Sequence, residues 1–146
     1  MKLQMTVIAA ALALGFAGAA QAQSKADRKV HNADEERIES EFKVAKEKCD
    51  SMQGNQKDIC VAEAKAKERV AKAENDARSA KDPAKAQARV QRAKADAEYD
   101  VAKERCEDQK GAAMASCKKD AQAAHAKAKA DARAVKKADK PAATKG

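Results

Sequence analysis

Tryptophan is missing from this chain, and only Tyr99, Phe16 and Phe42 carry aromatic six-membered rings. A chain so poor in rings cannot stack successive nucleic-acid bases. It also lacks the side chains that bury the most area in a core. Leucine occurs only at Leu3, Leu12 and Leu14, and the only threonine after Thr6 is Thr144. With no alternating apolar pattern, strands are excluded. Between residues 23 and 145 glycine stands only at Gly54 and Gly111, so no glycine-rich loop can cradle a phosphate. There is no Cys-x-x-Cys and no His-x3-His. His31 and His125 read as exposed helical residues. Ser24, Ser40, Ser51, Ser79 and Ser116 lie in no nucleophile-elbow context, and the carboxylates are scattered among lysines. The expectation is a non-enzymatic protein with no cofactor and no metal site.

What is present is alanine, lysine, arginine and glutamate, the strongest helix formers. After residue 22 the chain holds 31 alanines and only 17 larger apolar residues, cysteines included. The class is all-α with a thin core, because a buried alanine contributes little area at roughly 25 cal/mol per Å².

Met1 to Ala22 reads as a secretory signal peptide. Lys2 gives the positive start, residues 7–18 the apolar run, and Ala20-Gln21-Ala22 the small-x-small cut. The mature chain should begin at Gln23 and have no transmembrane segment. A soluble protein of an oxidising compartment follows, best matched by a bacterial periplasm.

Cys49 and Cys60 are eleven positions apart, as are Cys106 and Cys117. The two segments are copies at an offset of 57 residues: Glu41-Phe42-Lys43-Val44-Ala45-Lys46-Glu47-Lys48-Cys49 falls on Glu98-Tyr99-Asp100-Val101-Ala102-Lys103-Glu104-Arg105-Cys106. On one straight helix, residues 49 and 60 would sit about 16 Å apart at 1.5 Å per residue. A disulfide needs Cα atoms within roughly 7 Å. Reversal at Gly54-Asn55 brings the cysteines face to face, with glycine suited to a left-handed position and Asn55 placed to cap the next helix. The copy turns at Gly111-Ala112. Two disulfide-stapled αα-hairpins are predicted. Four buried free thiols are the alternative. In that case Met52 and Met114, each three residues from a cysteine, could join reduced thiols in a soft Cu(I) site. Zinc is disfavoured, since structural zinc sites favour about two to four residues within a pair.

The predicted helices cover 26–53, 56–80, 84–110 and 113–138. Ile38, Phe42, Ala45, Cys49 and Met52 step by fours and threes along one face, in coiled-coil fashion. Ile59, Ala62, Ala66, Val70, Ala73 and Ala77 form the second face. Ala95, Tyr99, Ala102 and Cys106 form the third, and Met114, Cys117, Ala121, Ala124, Ala128 and Val135 the fourth. Pro83 starts the third helix and Pro141 follows the fourth. The organisation expected is a leader (1–22), hairpin one (23–82), hairpin two (83–138) and a disordered basic tail (139–146). The hairpins would be loosely packed or extended.

Formal net charge is +8, and residues 111–146 carry nine basic against three acidic residues. Lys118, Lys119, Lys127, Lys129, Arg133, Lys136, Lys137 and Lys140 form a candidate surface for a polyanion or an anionic membrane. Nucleic acid is a poor candidate for an exported protein.

The duplicated segments, Val44 to Cys49 and Val101 to Cys106, each with a glycine turn and a second cysteine, resemble small exported proteobacterial proteins. Those proteins have Ala/Lys/Glu-rich helices and carry a TolA-like or cell-envelope-biogenesis label. The resemblance covers roughly residues 41–134 and implies a structural or interaction role at the cell envelope. TolA itself has a membrane anchor and a globular C-terminal domain, which are not read here, and the resemblance assigns no functional residue.

Overall fold

A computed structural model describes residues 17–138. Most of the expected leader and all of the expected basic tail lie outside these residues. Four helices follow in order: α1 (Ala17–Cys49), α2 (Gly54–Arg78), α3 (Pro83–Cys106) and α4 (Gly111–Ala138). No strand occurs among the described residues. None of the helices is long and apolar enough to cross a membrane.

The two tips are built alike. Gly54 and Gly111 both have φ +58°, a conformation that costs an L-residue about 1–2 kcal/mol. At the first tip Asp50 N donates to Glu47 O (3.1 Å) and Met52 N to Cys49 O (3.0 Å). At the second, Glu107 N donates to Glu104 O and Gln109 N to Cys106 O, both at 3.1 Å, each 57 residues further on. Disulfides join Cys49 to Cys60 and Cys106 to Cys117, with Cα atoms 5.6 Å apart in each pair.

The bridges explain why α1 and α3 stop at the cysteine itself, four residues before the predicted ends. A Cα separation of 5.6 Å leaves no room for another turn before the chain reverses. The expected cap is also corrected. Gln53 is the N-cap of α2 and makes no side-chain cap bond. Asn55 Nδ2 donates instead to Glu104 O (2.9 Å) and Asp108 Oδ1 (2.7 Å), tying the first tip to the end of α3. At the other end of the molecule Asp82 caps α3, accepting from Lys85 N at 2.9 Å, with Pro83 in the first turn.

Contacts run in sequence order. The α1 helix packs on α2, α2 on α3, and α3 on α4, with no other pair touching. The hairpins therefore dock side by side through α2 and α3, and no closed four-helix bundle forms. Helical geometry gives the reason. At about 100° per residue, buried Ala86, Val90 and Ala97 lie on one side of α3, and buried Ala88, Ala95 and Cys106 lie on the opposite side. A helix with contact stripes on opposite sides sits between two neighbours in a row. The same holds for α2. The stripe read from the sequence (Ala62, Ala66, Val70, Ala73, Ala77) is opposed by a second carrying buried Ala64 and Asn75. By contrast α1 has a single stripe, from His31 through Ile38 and Phe42 to Cys49.

The core is as thin as the composition requires. Ile38 and Val90 are its only buried branched aliphatic residues among those described. The largest fully buried side chains are Asn75, Cys49 and Cys106. Both polar side-chain atoms of Asn75 have partners: its Nδ2 donates to His31 O (2.9 Å), and its Oδ1 accepts from Arg78 Nη2 (3.0 Å).

Candidate functional site

A row of helices has two broad faces, and here they differ. One is laced with polar contacts between neighbouring helices. Arg69 reaches Asp100 (2.7 Å), Lys72 reaches Glu39 (3.3 Å), and His125 Nε2 meets Asp96 Oδ1 (2.6 Å). On this face Tyr99 stacks on His125, with ring centroids 4.5 Å apart.

The opposite face carries an open groove of about 1330 Å³, running over α3 between α2 and α4. Its walls are Ala66, Val70 and Ala71 from α2 and Ala113, Ala121 and Ala124 from α4. Its floor includes Ala97, Val101 and Ala102, and the Cys106–Cys117 bridge closes it at the tip end. Small side chains on both walls keep the groove open. Ion pairs from Arg105 to Glu63 (2.7 Å) and from Lys94 to Glu74 (2.8 Å) hold the α2 wall to α3. Lys67 and Glu98 also line it and make no ion pair among the described residues. A smaller groove of about 530 Å³ lies between α1 and α2, with Val44 (49% exposed) and Met52 (41% exposed) along it.

The sequence-predicted residues are distributed as follows. All four cysteines are in disulfides at one end of the molecule, and none is free. A soft-metal site at a hairpin tip, with Met52 or Met114, would therefore require that tip's bridge to be reduced. Among the described residues no cluster of three histidine, cysteine or acidic side chains could hold a metal.

The basic set on α4 is partly neutralised. Lys118 pairs with Glu107 (2.6 Å), Lys127 with Asp131 (2.8 Å), and Lys129 lies 4.0 Å from Asp96. The hydrogen bond that Lys127 donates to Asp131 raises the Lys127 pKa. Lys119 and Arg133 are exposed and make no ion pair among the described residues. The side chains of Lys136 and Lys137, and the whole of Lys140, lie outside them.

The histidines are not the exposed residues the sequence suggested. Both are half-buried between paired helices. His31 Nε2 lies 3.0 Å from Asp76 Oδ1 on α2, and its Nδ1 is 3.9 Å from Glu35. The Asp76 hydrogen bond is the main cause of a pKa raised above 6.5. A raised folded-state pKa means that the charged ring stabilises the fold. That contribution is full below the unfolded value and is lost as pH rises through the folded one. Thermal midpoints should therefore fall as pH is raised through neutrality, and His31→Gln should flatten the slope. An unchanged slope in that variant would assign the pH dependence elsewhere.

Sequence reading missed the groove because it needs three helices side by side, which no single stripe reveals. It missed the His31–Asp76 contact because 45 residues separate the pair. One signal was available: shifting charged positions by 57 maps Lys72 and Glu39 onto Lys129 and Asp96, a pair made in both hairpins. Compared with protein-family models, with curated proteins and with solved structures, the chain finds no match.

Proposed function

We propose that this is a non-enzymatic periplasmic protein that acts at the cell envelope by holding a helix of another protein along its grooved face. The observation that carries this reading is the apolar groove over α3, left open between two covalently stapled hairpins. From residue 94 to residue 106 the floor is about 18 Å long at 1.5 Å per residue, a seat for some three helical turns. The occupant suited to it is an amphipathic helix with small or medium apolar side chains. Unpaired Lys67 and Glu98 favour flanking charges of both signs. The leader-like segment at residues 1–22 and the disulfides support export to an oxidising compartment.

A photo-reactive residue placed at Ala121 should cross-link one envelope protein in living cells, and the same residue at exposed Gln122 should not. The partner, once purified, should bind the wild-type protein and lose at least tenfold affinity for Ala124→Arg, a rim change at an exposed position. Equal affinity for that variant would remove the groove from the account.

A second reading is favoured by the nine basic against three acidic residues of 111–146: contact with an anionic membrane or polyanion through α4 and the tail. It requires vesicle binding that weakens steeply with salt and disappears on deleting residues 118–146. Because three of the basic side chains on α4 are already bridged to carboxylates, the salt slope should be shallower than the residue count suggests.

A further inference from the structure

The two hairpins are copies in structure as well as in sequence. A shift of 57 carries one tip onto the other, bond by bond. It carries buried Ile38 onto Ala95 and buried Asn75 onto Ala132, and it carries the Lys72–Glu39 pair onto Lys129–Asp96. The α2–α3 contact is then the joint between two repeats of one unit. Each end of the row presents half of such a joint, α1 at one end and α4 at the other, and neither outer face is covered.

The ion pairs of the internal joint test whether the outer faces match. Glu63–Arg105 (2.7 Å) and Glu74–Lys94 (2.8 Å) hold α2 to α3. Shifted by 57, the acidic partners become Asp120 and Asp131 on α4, and the basic partners become Lys48 and Arg37 on α1. All four signs are kept. The third pair, Arg69–Asp100 (2.7 Å), becomes Ala126 and Lys43, which cannot repel. The shift also turns Val101 into Val44, one of the few large apolar residues left exposed.

We infer that a second copy of this chain docks head to tail, the outer face of α4 in one copy against the outer face of α1 in the next, in the register of the α2–α3 joint. Asp120 then meets Lys48 of the next copy, and Asp131 meets its Arg37. At present Arg37 is held by Asp34 and Glu41, and Asp131 by Lys127. These are exposed pairs, which exchange partners at little cost. The contact is heterologous, so it continues into linear arrays unless the rotation closes a ring. It is weaker than the internal joint. Lys29, Glu36 and Ser40 stand where Ala86, Ala93 and Ala97 do, and the tethering that raises the effective concentration inside one chain is absent. The inference does not depend on what the groove holds.

The test is sedimentation velocity of the mature protein from micromolar to millimolar concentration. The mass should rise steadily past the dimer without a plateau. The double variant Asp120→Lys/Asp131→Lys, and separately Arg37→Glu/Lys48→Glu, should each lower the association constant about tenfold or more, two attractions having become repulsions. Mixing the two variants should restore association, because each reversed α4 then meets a reversed α1. Helical circular dichroism and the thermal midpoint, unchanged in both variants, establish that they fold. A monomer at every concentration would overturn the inference. So would a dimer that saturates and ignores both reversals, or a mixture that fails to recover. Lys67→Ala, on the α2 wall of the groove and away from both outer faces, should leave self-association unchanged while weakening the binding of any groove partner, which separates failure here from failure of the groove reading.

Discussion

Replacing all four cysteines by serine should abolish cooperative folding at physiological temperature. Each bridge closes a loop of about twelve residues, worth roughly 2–3 kcal/mol in the chain-entropy account. Two bridges therefore supply about 5 kcal/mol, as much as the whole stability of many small domains. The rest of the fold has little to offset that loss. Of the ten buried apolar residues, six are alanines and two are the cysteines Cys49 and Cys106. Serine at those two sites would also bring a hydroxyl into a buried position. Removing one bridge, as Cys49→Ser/Cys60→Ser, should shift the urea midpoint down by the equivalent of about 2–4 kcal/mol and leave a cooperative transition. Urea unfolding monitored by circular dichroism reads both results. A four-serine chain that still unfolds cooperatively near the wild-type midpoint would show that helix packing alone carries the fold.

The second large effect is expected at Ile38. It is 3% exposed, and among the described residues it is the only buried branched one of the first hairpin. Ile38→Ala should cost about 2–4 kcal/mol, the lost transfer energy plus a cavity that two stapled helices cannot fully close. The second hairpin offers an internal control, because the matching position is already alanine. Ala95 is also 3% exposed, buried against neighbouring helices. Ala95→Ile should destabilise by overpacking, by about 1–3 kcal/mol. Opposite substitutions at matched sites, both destabilising, would show that the two copies have diverged in packing while keeping one backbone plan. A neutral Ile38→Ala would place the stabilising contacts of α1 elsewhere.

Much of the architecture was legible because it is written locally. The ten-residue spacing within each cysteine pair, with glycine in the middle, dictates a hairpin whatever surrounds it. Asp82-Pro83 marks a helix start by the missing amide hydrogen and the fixed φ of proline. What was not legible is how the helices lie side by side. Ala64 and Ala66 look alike in sequence, yet one is buried and the other lines the groove. When a quarter of residues 23–146 are alanine, an apolar stripe can be drawn down almost any side of a helix. Periodicity then no longer identifies the packed face. The charges discriminate better. Glu63, Arg69 and Glu74 find partners on α3, and Lys72 finds one on α1. Only the folded arrangement shows which carboxylate each cation meets. Asn55 failed as a cap for a related reason: a tertiary partner, the end of α3, competed for its amide.

Because the helices alternate in direction, both ends of the described chain emerge opposite the tips, and tension applied between them would run up α1, across the first bridge and down α2. The ten residues between Cys49 and Cys60, and the ten between Cys106 and Cys117, lie behind covalent shortcuts and carry none of that load. Each shortcut withholds roughly 30 Å of contour length at about 3.5 Å per extended residue. Under oxidising conditions the bridges thus limit how far the chain extends under tension, and their reduction would add that length to its reach.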